Sequence, residues 1–531
     1  MRILSTPSRL VSRLFPHRWG SALVTYVFLL FLAIGFVVHS DYGVSADEPA
    51  LRKFGNDVFA YLFQSGPVPT EQDWGFYNPV VQVVMRGVEL ARGLTDGADI
   101  WFLRHLLTFL MFFCTVAAFY RIAQRRFEDW KLPLLGSVMF FLSPRVFAHG
   151  FYNPKDVPAM FLFTLSIWTL LIFFGKKNWR TLLSHIICTA VLIGVRPFGW
   201  MLPVFAMVFL WAETHSRKDA LITAGVYFLT LALALALSWP LLWYGLFNGL
   251  IGALVDNTSR VGGGFYLGES ISAAGVPWHY LPVWIAVTTP VVYSLFFLIG
   301  FGALWIRCAR NPLSLLHERP VSGLALLLFS LPMAALLILS IGIFDEWRHM
   351  LFLYPAFLLI ALEGIAVTAN FHWQLPWTTT RYKCIRFTYG LLMLQLISTC
   401  AWMLRNHPFE YAYFSIPTRF IDGKFELDYW GLSYRAGLEW IIENESREHI
   451  NVYVAARVGK AGADTLPLED WNRLYFVDAP ENADYVLDNF RGNGYRHAFP
   501  EEEEVYAVTV DEMKILAVYS GIQYTRGTLL P

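Results

Sequence analysis

The hydrophobic positions of this chain are gathered into long runs that short polar segments separate. A run of about 20 apolar residues can cross a bilayer as a helix. Eleven runs fit this length closely enough for us to predict a polytopic α-helical membrane protein with about 11 transmembrane helices. The predicted spans are residues 20–40, 101–120, 132–149, 157–175, 181–196, a run from Pro197 towards Arg217, 219–243, 279–306, 321–343, 350–369 and 387–404.

Basic residues between these runs indicate which ends face the cytoplasm. They are Arg121–Lys131, Lys176–Arg180, Arg217–Lys218, Arg307–Arg319 and Arg381–Arg386. All five clusters fall on the same side of an eleven-span arrangement, as does the arginine-rich start of the chain. Because cytoplasmic loops are enriched in Lys and Arg, the pattern predicts an inside N-terminus and an outside C-terminal tail.

The first outside loop, residues 41–100, carries two adjacent carboxylates, Asp47 and Glu48. Leu51, Phe54 and Val58 follow at helical spacing, which predicts an amphipathic helix lying in the membrane interface. A second helical stretch follows in the same loop, around residues 80–91. The Ser45-x-x-Glu48 spacing also fits a capping box, so the pattern leaves open whether the acidic pair is a helix cap or a functional site.

The tail after the last span is polar and mixed in charge. Residues 434–444 are predicted as a helix, and residues 451–455, 474–477, 483–487, 505–510 and 513–519 as short strands. We therefore predict two domains: a transmembrane domain over 1–404 and a small extracytoplasmic α/β domain over 405–531.

Composition agrees with a membrane protein. The chain has 531 residues, of which 56% are hydrophobic and 15% charged, whereas soluble proteins carry about 25% charged residues. The formal net charge is +0, so charge gives no indication of nucleic acid, and we predict no such partner.

Charged residues collect at the outside ends of the predicted spans, where the positive-inside trend disfavours cations. They are Lys155, Asp156, Arg196, Arg260, His279, Arg348 and His349. A phosphate at the outer headgroup level would explain the cations, because guanidinium and ammonium groups bind phosphate oxygens.

Each of these residues also has a purely structural explanation. Lys155 and Asp156 could pair in a turn, and Arg196 could snorkel from a span end. Arg348 could pair with the neighbouring acids, Arg260 could be a solvated loop residue, and His279 an interfacial histidine. No cofactor is predicted with certainty. A divalent metal on the acidic pair is possible, but no ligand spacing supports it.

Several motifs together resemble the GT-C superfamily of membrane glycosyltransferases, and most closely its protein O-mannosyltransferase and aminoarabinose-transferase branch. They are the Asp47-Glu48 pair after the first span, Tyr77-Asn78-Pro79, Asn153-Pro154-Lys155-Asp156, Gly194-Val195-Arg196-Pro197, Arg348-His349, and the stretches 407–414 and 426–431. The likeness covers roughly residues 20–430.

This resemblance implies a GT-C-like fold and an inverting transfer of a sugar from a polyprenyl-phosphate donor. The acceptor would be an unknown envelope glycan, lipid or protein. Asp47 would be catalytic with Glu48 beside it, and Lys155, Arg196 and Arg348 would bind the donor phosphate. The remaining substrate contacts would come from Asp156, Tyr77, Arg260 and His279. The implied location is a bacterial inner (plasma) membrane, with the site facing the periplasm or outside.

For Asp47 we expect the role of general base. Partial desolvation and the neighbouring Glu48 are expected to raise its pKa above the ordinary value, with nearby cations opposing. The alternative from another class is a transporter or flippase of a lipid-linked sugar, which would also place charges at the headgroup level but predicts polar residues near the midplane.

Overall fold

The computed structural model describes residues 17–67, 78–95, 97–176, 178–213, 217–244, 263–272, 276–339, 342–370, 380–491, 499–500 and 503–520. Its longer helices, in chain order, are α1 (His17–Val38), α2 (Glu48–Phe63), α3 (Val80–Ala91), α4 (Ala98–Phe127), α5 (Lys131–Phe141), α6 (Pro144–Tyr152), α7 (Asp156–Lys176), α8 (Trp179–Val195), α9 (Met201–Glu213), α10 (Arg217–Ser238), α11 (Tyr280–Thr288), α12 (Val291–Arg310), α13 (Pro312–Glu318), α14 (Pro320–Leu339), α15 (Tyr354–Ala369), α16 (Thr380–Asn406) and α17 (Tyr434–Asn444).

The chain is an integral multi-pass membrane protein. Within the described ranges, seven helices are long and apolar enough to cross a membrane, and the bent pair α5 and α6 raises the number to eight. Three shorter apolar helices lie at residues 179–195, 197–208 and 320–336. A helix is found at each of the eleven predicted runs.

Prolines set several helix ends. The pair α5 and α6 bends by 67° where Pro144 opens α6 after an extended Ser143. Pro197 follows the end of α8, and Pro290 separates α11 from α12. A proline cannot donate the backbone hydrogen bond that would continue the preceding helix, and it disfavours helical backbone in the residue before it.

Both helical stretches of the first loop form as predicted. In α2 the buried apolar residues are Phe54 and Val58, two of the positions in the predicted stripe. Gly55 of α2 lies against Gln82 of α3, and Gln82 in turn donates to the Pro154 carbonyl at 2.9 Å. The two loop helices are thereby fixed over the end of the helix bundle at which Pro154 lies.

The tail carries a mixed five-stranded sheet. Strands β1 (Gly263–Tyr266) and β2 (Glu269–Ser272) form a separate hairpin before the tail. The strands of the tail sheet are β3 (Ile450–Val454), β4 (Leu474–Phe476), β5 (Tyr485–Asp488), β6 (Glu504–Val510) and β7 (Met513–Ser520). The strand order in the sheet is β4-β3-β5-β7-β6. Strand β3 is parallel to both of its neighbours, β4 and β5. Strand β7 is antiparallel to both of its neighbours, β5 and β6. The predicted strands and the helix at 434–444 agree with these bounds to within two residues.

One hydrophobic cluster runs from the membrane helices into the tail, including Phe112 of α4, Leu362 of α15 and Ile441 of α17. The two parts also meet through the backbone, because the Ala46 N–H donates to the Trp430 carbonyl at 3.1 Å. The tail therefore packs directly on the loop that carries the acidic pair.

Candidate active site

Asp47 lies at the start of α2, where it is the N-cap residue. Its carboxylate Oδ2 accepts a hydrogen bond from Arg348 Nη1 at 2.8 Å, and its side chain is 36% exposed. The other carboxylate oxygen makes no hydrogen bond with any residue that the structure describes. One oxygen is therefore fixed and the other is open to a ligand.

Glu48 has a different environment. Its side chain is fully buried and lies 3.2 Å from His105 Nε2. It accepts the Ser45 backbone N–H at 2.7 Å, which is one half of the predicted capping box. The other half is missing, because the Ser45 hydroxyl donates to the Tyr152 carbonyl instead. Glu48 thus holds the loop in place and is shielded from solvent.

Arg348 opens the 3₁₀ turn that leads into α15. Its Nη2 donates to Asp345 Oδ2 at 2.9 Å, and its guanidinium carbon lies 4.6 Å from the centre of the Trp430 ring. The predicted pairing with a neighbouring acid is confirmed for Asp345. It exists alongside the bond to Asp47, so the pairing does not exclude a role in the site.

A second carboxylate–guanidinium pair lies beside the first. Asp156, the first residue of α7, accepts a hydrogen bond from Arg196 at the end of α8. The Asn153 side chain orients Asp156 by donating to its carboxylate at 3.1 Å and accepting its backbone N–H at 2.9 Å. Asp156 therefore forms its ion pair with Arg196, and Lys155, the predicted partner, interacts with it electrostatically as well.

Lys155 lies close to both carboxylate–guanidinium pairs. It interacts electrostatically with Arg196, Asp47, Asp156 and Arg348. Burial and then the Arg196 charge lower the pKa of Lys155 to about 7, although the two aspartates oppose the shift. Four segments far apart in sequence thus bring five charged groups together, at the start of α2, the start of α7, the end of α8 and the turn before α15.

The two arginines retain unused hydrogen-bonding capacity. Both are 7% exposed. The Nε atoms of Arg196 and Arg348 are buried without a hydrogen-bond partner among the described residues. An unpaired buried N–H is costly, so these two atoms are candidates for a hydrogen bond to a bound ligand.

The expected rise in the pKa of Asp47 is wrong. Burial does act in that direction, but the positive charges of Arg348 and Lys155 outweigh it and lower the pKa below the ordinary value. Glu48 is not among the groups that raise it most. Asp47 is therefore fully ionised at neutral pH, and its reactivity depends on position more than on basicity.

A second group of acids lies behind Arg348. Asp345 and Glu346 have left-handed backbone conformations, with φ of 52° and 56°, which are strained for residues with side chains. The strained turn directs Asp345 to Arg348 and Arg491 and directs Glu346 to Arg145 and Tyr429. Burial and the Asp345 charge raise the pKa of the neighbouring Glu426 to about 8.

No site role is predicted for these residues from the sequence. Arg145 carried a usable signal, because it is a charged residue within a predicted span, and such residues are rarely without a function or a partner. Asp345 and Glu346 are predicted from the sequence only as acids that could pair with Arg348. Nothing in the sequence indicates that Arg491, more than 140 positions later, pairs with Asp345 at 3.0 Å.

Three further residues were predicted to contact the substrate or lie near it, and only His279 is among the described residues. Tyr77 and Arg260 lie outside the described residues. His279 binds the Tyr266 hydroxyl at 2.7 Å, and so connects α11 to the β1–β2 hairpin. Over the described part of the chain, no group of three or more His, Cys, Asp or Glu side chains is placed to hold a metal ion. His349 lies near Arg348, Arg196 and Lys155.

No protein-family model matches the chain, and no curated protein sequence is significantly similar to it. Several solved structures are similar to the chain, and three of them are described here. ArnT from Cupriavidus metallidurans bound to undecaprenyl phosphate has 12% identity and a TM-score of 0.49, over 93% of this chain and 97% of ArnT. The archaeal oligosaccharyltransferase AglB from Archaeoglobus fulgidus, in complex with an inhibitory peptide and a dolichol-phosphate, has 11% identity and a TM-score of 0.47. The similarity covers 88% of this chain and 70% of the AglB chain.

The third is the arabinofuranosyltransferase AftD from mycobacteria, with 13% identity and a TM-score of 0.45, over 93% of this chain and 40% of AftD. All three are GT-C superfamily membrane glycosyltransferases, the superfamily that the motifs resemble. Identities and TM-scores this low carry no weight for the substrate or the reaction, which depend on the residues of the site itself.

Proposed function

We propose that this protein is an inverting glycosyltransferase that moves a sugar from a polyprenyl-phosphate carrier to an acceptor at the outer face of the membrane. The observation that carries the proposal is the group formed by Asp47, Lys155, Asp156, Arg196 and Arg348. It combines one half-open carboxylate with three cations, and two of these cations have buried, unpartnered N–H groups.

The cations suit a lipid-linked phosphate. Arg196 and Arg348 are held at the outer ends of membrane helices, at the level where the phosphate of a lipid carrier lies. A phosphate oxygen would satisfy the free Nε–H groups of both arginines, and Lys155 would add a point charge. As the bond from the sugar to the phosphate breaks, charge grows on the leaving phosphate, and cations already in place stabilise it.

Asp47 is suited to activate the acceptor. An acceptor hydroxyl is a poor nucleophile at neutral pH, and its proton must leave as its oxygen bonds to the anomeric carbon of the sugar. The free oxygen of Asp47 would take that proton while Arg348 holds the other oxygen still. The products are the glycosylated acceptor, the lipid phosphate and a proton on Asp47, which is later released to water. Attack opposite to the leaving phosphate inverts the anomeric centre.

The experiment compares Asp47→Asn with wild type, using purified protein and a set of polyprenyl-phosphate pentoses and hexoses. Release of polyprenyl phosphate is measured in detergent, where no gradient exists. We expect turnover to fall by about 10²–10⁴-fold in Asp47→Asn, the usual contribution of a general base, with donor binding retained.

The chain offers a matched control in Asp57→Asn. Asp57 is on the same helix, is 35% exposed and forms an ion pair with Lys53, so the chemical change is the same at a similar exposure. Glu48→Gln should lower stability more than turnover, because it weakens the buried contact with His105. The proposal fails if Asp47→Asn turns over as fast as Asp57→Asn. A transporter would show no turnover in wild type either.

A further inference from the structure

A cleft of about 840 Å³ opens between the acidic-pair loop and the tail. One wall is the start of α2, with Ala46, Pro49 and Ala50 on either side of Asp47. The opposite wall comes from the tail and includes Arg457, Lys460, Trp471 and Phe476. The volume of the cleft falls within the range of small-molecule binding pockets, which is about 300–1,000 Å³.

The cleft connects with the site through a chain of ion pairs. Arg491, one of the lining residues, donates to Asp345 at 3.0 Å. The other oxygen of Asp345 accepts from Arg348 at 2.9 Å, and Arg348 donates to Asp47 at 2.8 Å. Asp47 does not itself line the cleft, but Ala46 and Pro49 on either side of it do, so a molecule in the cleft would lie on the tail side of Asp47.

The charges that line the cleft are unevenly distributed. Arg457 is exposed, and its side chain forms no hydrogen bond or ion pair within the described residues. Lys460 is 3.8 Å from Asp478, which is fully exposed, so that pair is weak. The acid in the lining, Asp464, is close to Trp471 and to the Arg52 charge. Two cations are thus available to a ligand, while Arg491 is already paired.

The cleft also offers an aromatic surface. Trp471 is 42% exposed although it lines a concave site. A half-exposed indole next to two available cations can pack against the apolar face of a ring while the cations bind its anionic substituent. This combination fits a sugar that carries a negative group better than it fits a neutral chain or a nucleic acid.

We propose that the cleft is the acceptor site and that the acceptor is a saccharide carrying an anionic group, a phosphate or a carboxylate. This inference rests on the proposed function. Arg457 and Lys460 bind the anionic group, Trp471 packs against the sugar ring, and the free hydroxyl of the acceptor points towards Asp47.

The test measures binding of glucose 1-phosphate and of glucose to the full-length protein in lipid nanodiscs, by ligand-observed NMR and without donor. We expect glucose 1-phosphate to bind more tightly than glucose. The Arg457→Glu/Lys460→Glu variant should weaken glucose 1-phosphate binding by about ten-fold or more, because it replaces two charge-assisted contacts with repulsion, and should leave glucose binding unchanged.

The control is Arg419→Glu/Lys424→Glu, which makes the same charge change at two exposed cations of the tail segment outside the cleft lining. It should bind glucose 1-phosphate as wild type does. Equal binding by the two double variants, or equal binding of glucose and glucose 1-phosphate, would overturn the proposal. So would tighter binding of an acidic peptide than of glucose 1-phosphate, which would make the acceptor a protein. Because donor is absent, these results are independent of the Asp47→Asn turnover test.

Discussion

Lys155 is the residue of the site whose charge depends most on pH near neutrality. Burial and Arg196 lower its pKa to about 7, so the protonated fraction falls as pH rises through 7. The phosphate of a polyprenyl-phosphate sugar is a diester and remains a singly charged anion over this range. A protonated Lys155 attracts it and a neutral Lys155 does not, so donor binding should weaken as pH rises.

We therefore predict that the Kd for the donor rises by about ten-fold between pH 6 and pH 8, following the change in the charged fraction of one group with a pKa of about 7. In Lys155→Arg, whose side chain stays charged, most of this dependence should disappear. The Kd is measured at each pH from 6 to 8 by titrating the protein with donor and following the intrinsic fluorescence of the protein.

Glu426 is a second group that titrates here, because its pKa is raised to about 8. The Glu426→Gln variant is the control, and it should keep the pH dependence that Lys155→Arg loses. If Lys155→Arg and wild type show the same slope, Lys155 is not a donor contact.

The order of the charged motifs along the sequence already indicated the central residues of this site. Asp47, Lys155, Asp156, Arg196 and Arg348 all follow or precede a predicted span at the outer face, so topology alone brings them to one level. Their pairing could not be predicted. The bond from Arg196 to Asp156 and the bond from Arg348 to Asp47 depend on how α7, α8 and α15 are arranged laterally, which hydropathy does not determine.

The contribution of the tail to the site was also beyond prediction. Arg491 reaches Asp345, and Trp430 lies over Arg348, through contacts between residues far apart in sequence. The expected pKa of Asp47 was wrong for the same reason. The sign of its shift depends on the distances to Arg348 and Lys155, which only the fold provides.

At the scale of single elements, α12 and α15 cross in direct backbone contact. A Cβ added at Gly300 of α12 would overlap the Ile360 carbonyl oxygen of α15. A Cβ added at Gly364 of α15 would overlap the Phe296 carbonyl oxygen of α12. Small residues that let two membrane helices approach closely are a common source of their packing energy.

We predict that Gly300→Ala or Gly364→Ala destabilises the protein by about 1–3 kcal/mol, the usual cost of overpacking. The measurement is the Tm in detergent, with size-exclusion chromatography and fluorescence detection as the readout. Because α15 follows directly on the turn that carries Arg348, turnover should fall as well.

Gly302 provides the matched control on α12. A Cβ added there meets nothing within 4 Å, so Gly302→Ala should leave the Tm unchanged or raise it, since alanine favours the helix by about 1 kcal/mol. A Gly300→Ala variant as stable as Gly302→Ala would show that the helices do not pack as described.

Elements were easier to predict than contacts. The helix Tyr434–Asn444 agrees with the predicted bounds, because amphipathic spacing and flanking polar residues mark both its ends. The bend between α5 and α6 was missed, because apolar residues on both sides of the short Ser143-Pro144-Arg145 segment were taken together as one span from 132 to 149. Ser143-Pro144 is the local signal for that bend, and it lies within a span that was predicted to be continuous.

For the whole molecule, the proposed function depends on which side of the membrane the site faces. The acidic-pair loop, the outer ends of α7, α8 and α15, and the tail are in mutual contact. They therefore lie at one membrane face together. The predicted topology assigns the five basic clusters to the other face, which the positive-inside rule predicts to be the cytoplasmic face.

We predict that Ser446 of the tail is outside and Ser5 inside. Ser446 is exposed, so a cysteine there can react without unfolding. In a protein whose five native cysteines are changed to serine, Ser446→Cys should react with a membrane-impermeant maleimide in intact cells. Ser5→Cys should react only after the cells are broken open, and the broken-cell sample is the control for reactivity at both positions. If both cysteines were labelled equally from outside, the predicted topology would be wrong. If only Ser5→Cys were labelled, the site would face the cytoplasm, and a donor carried in the outer leaflet could not reach Asp47.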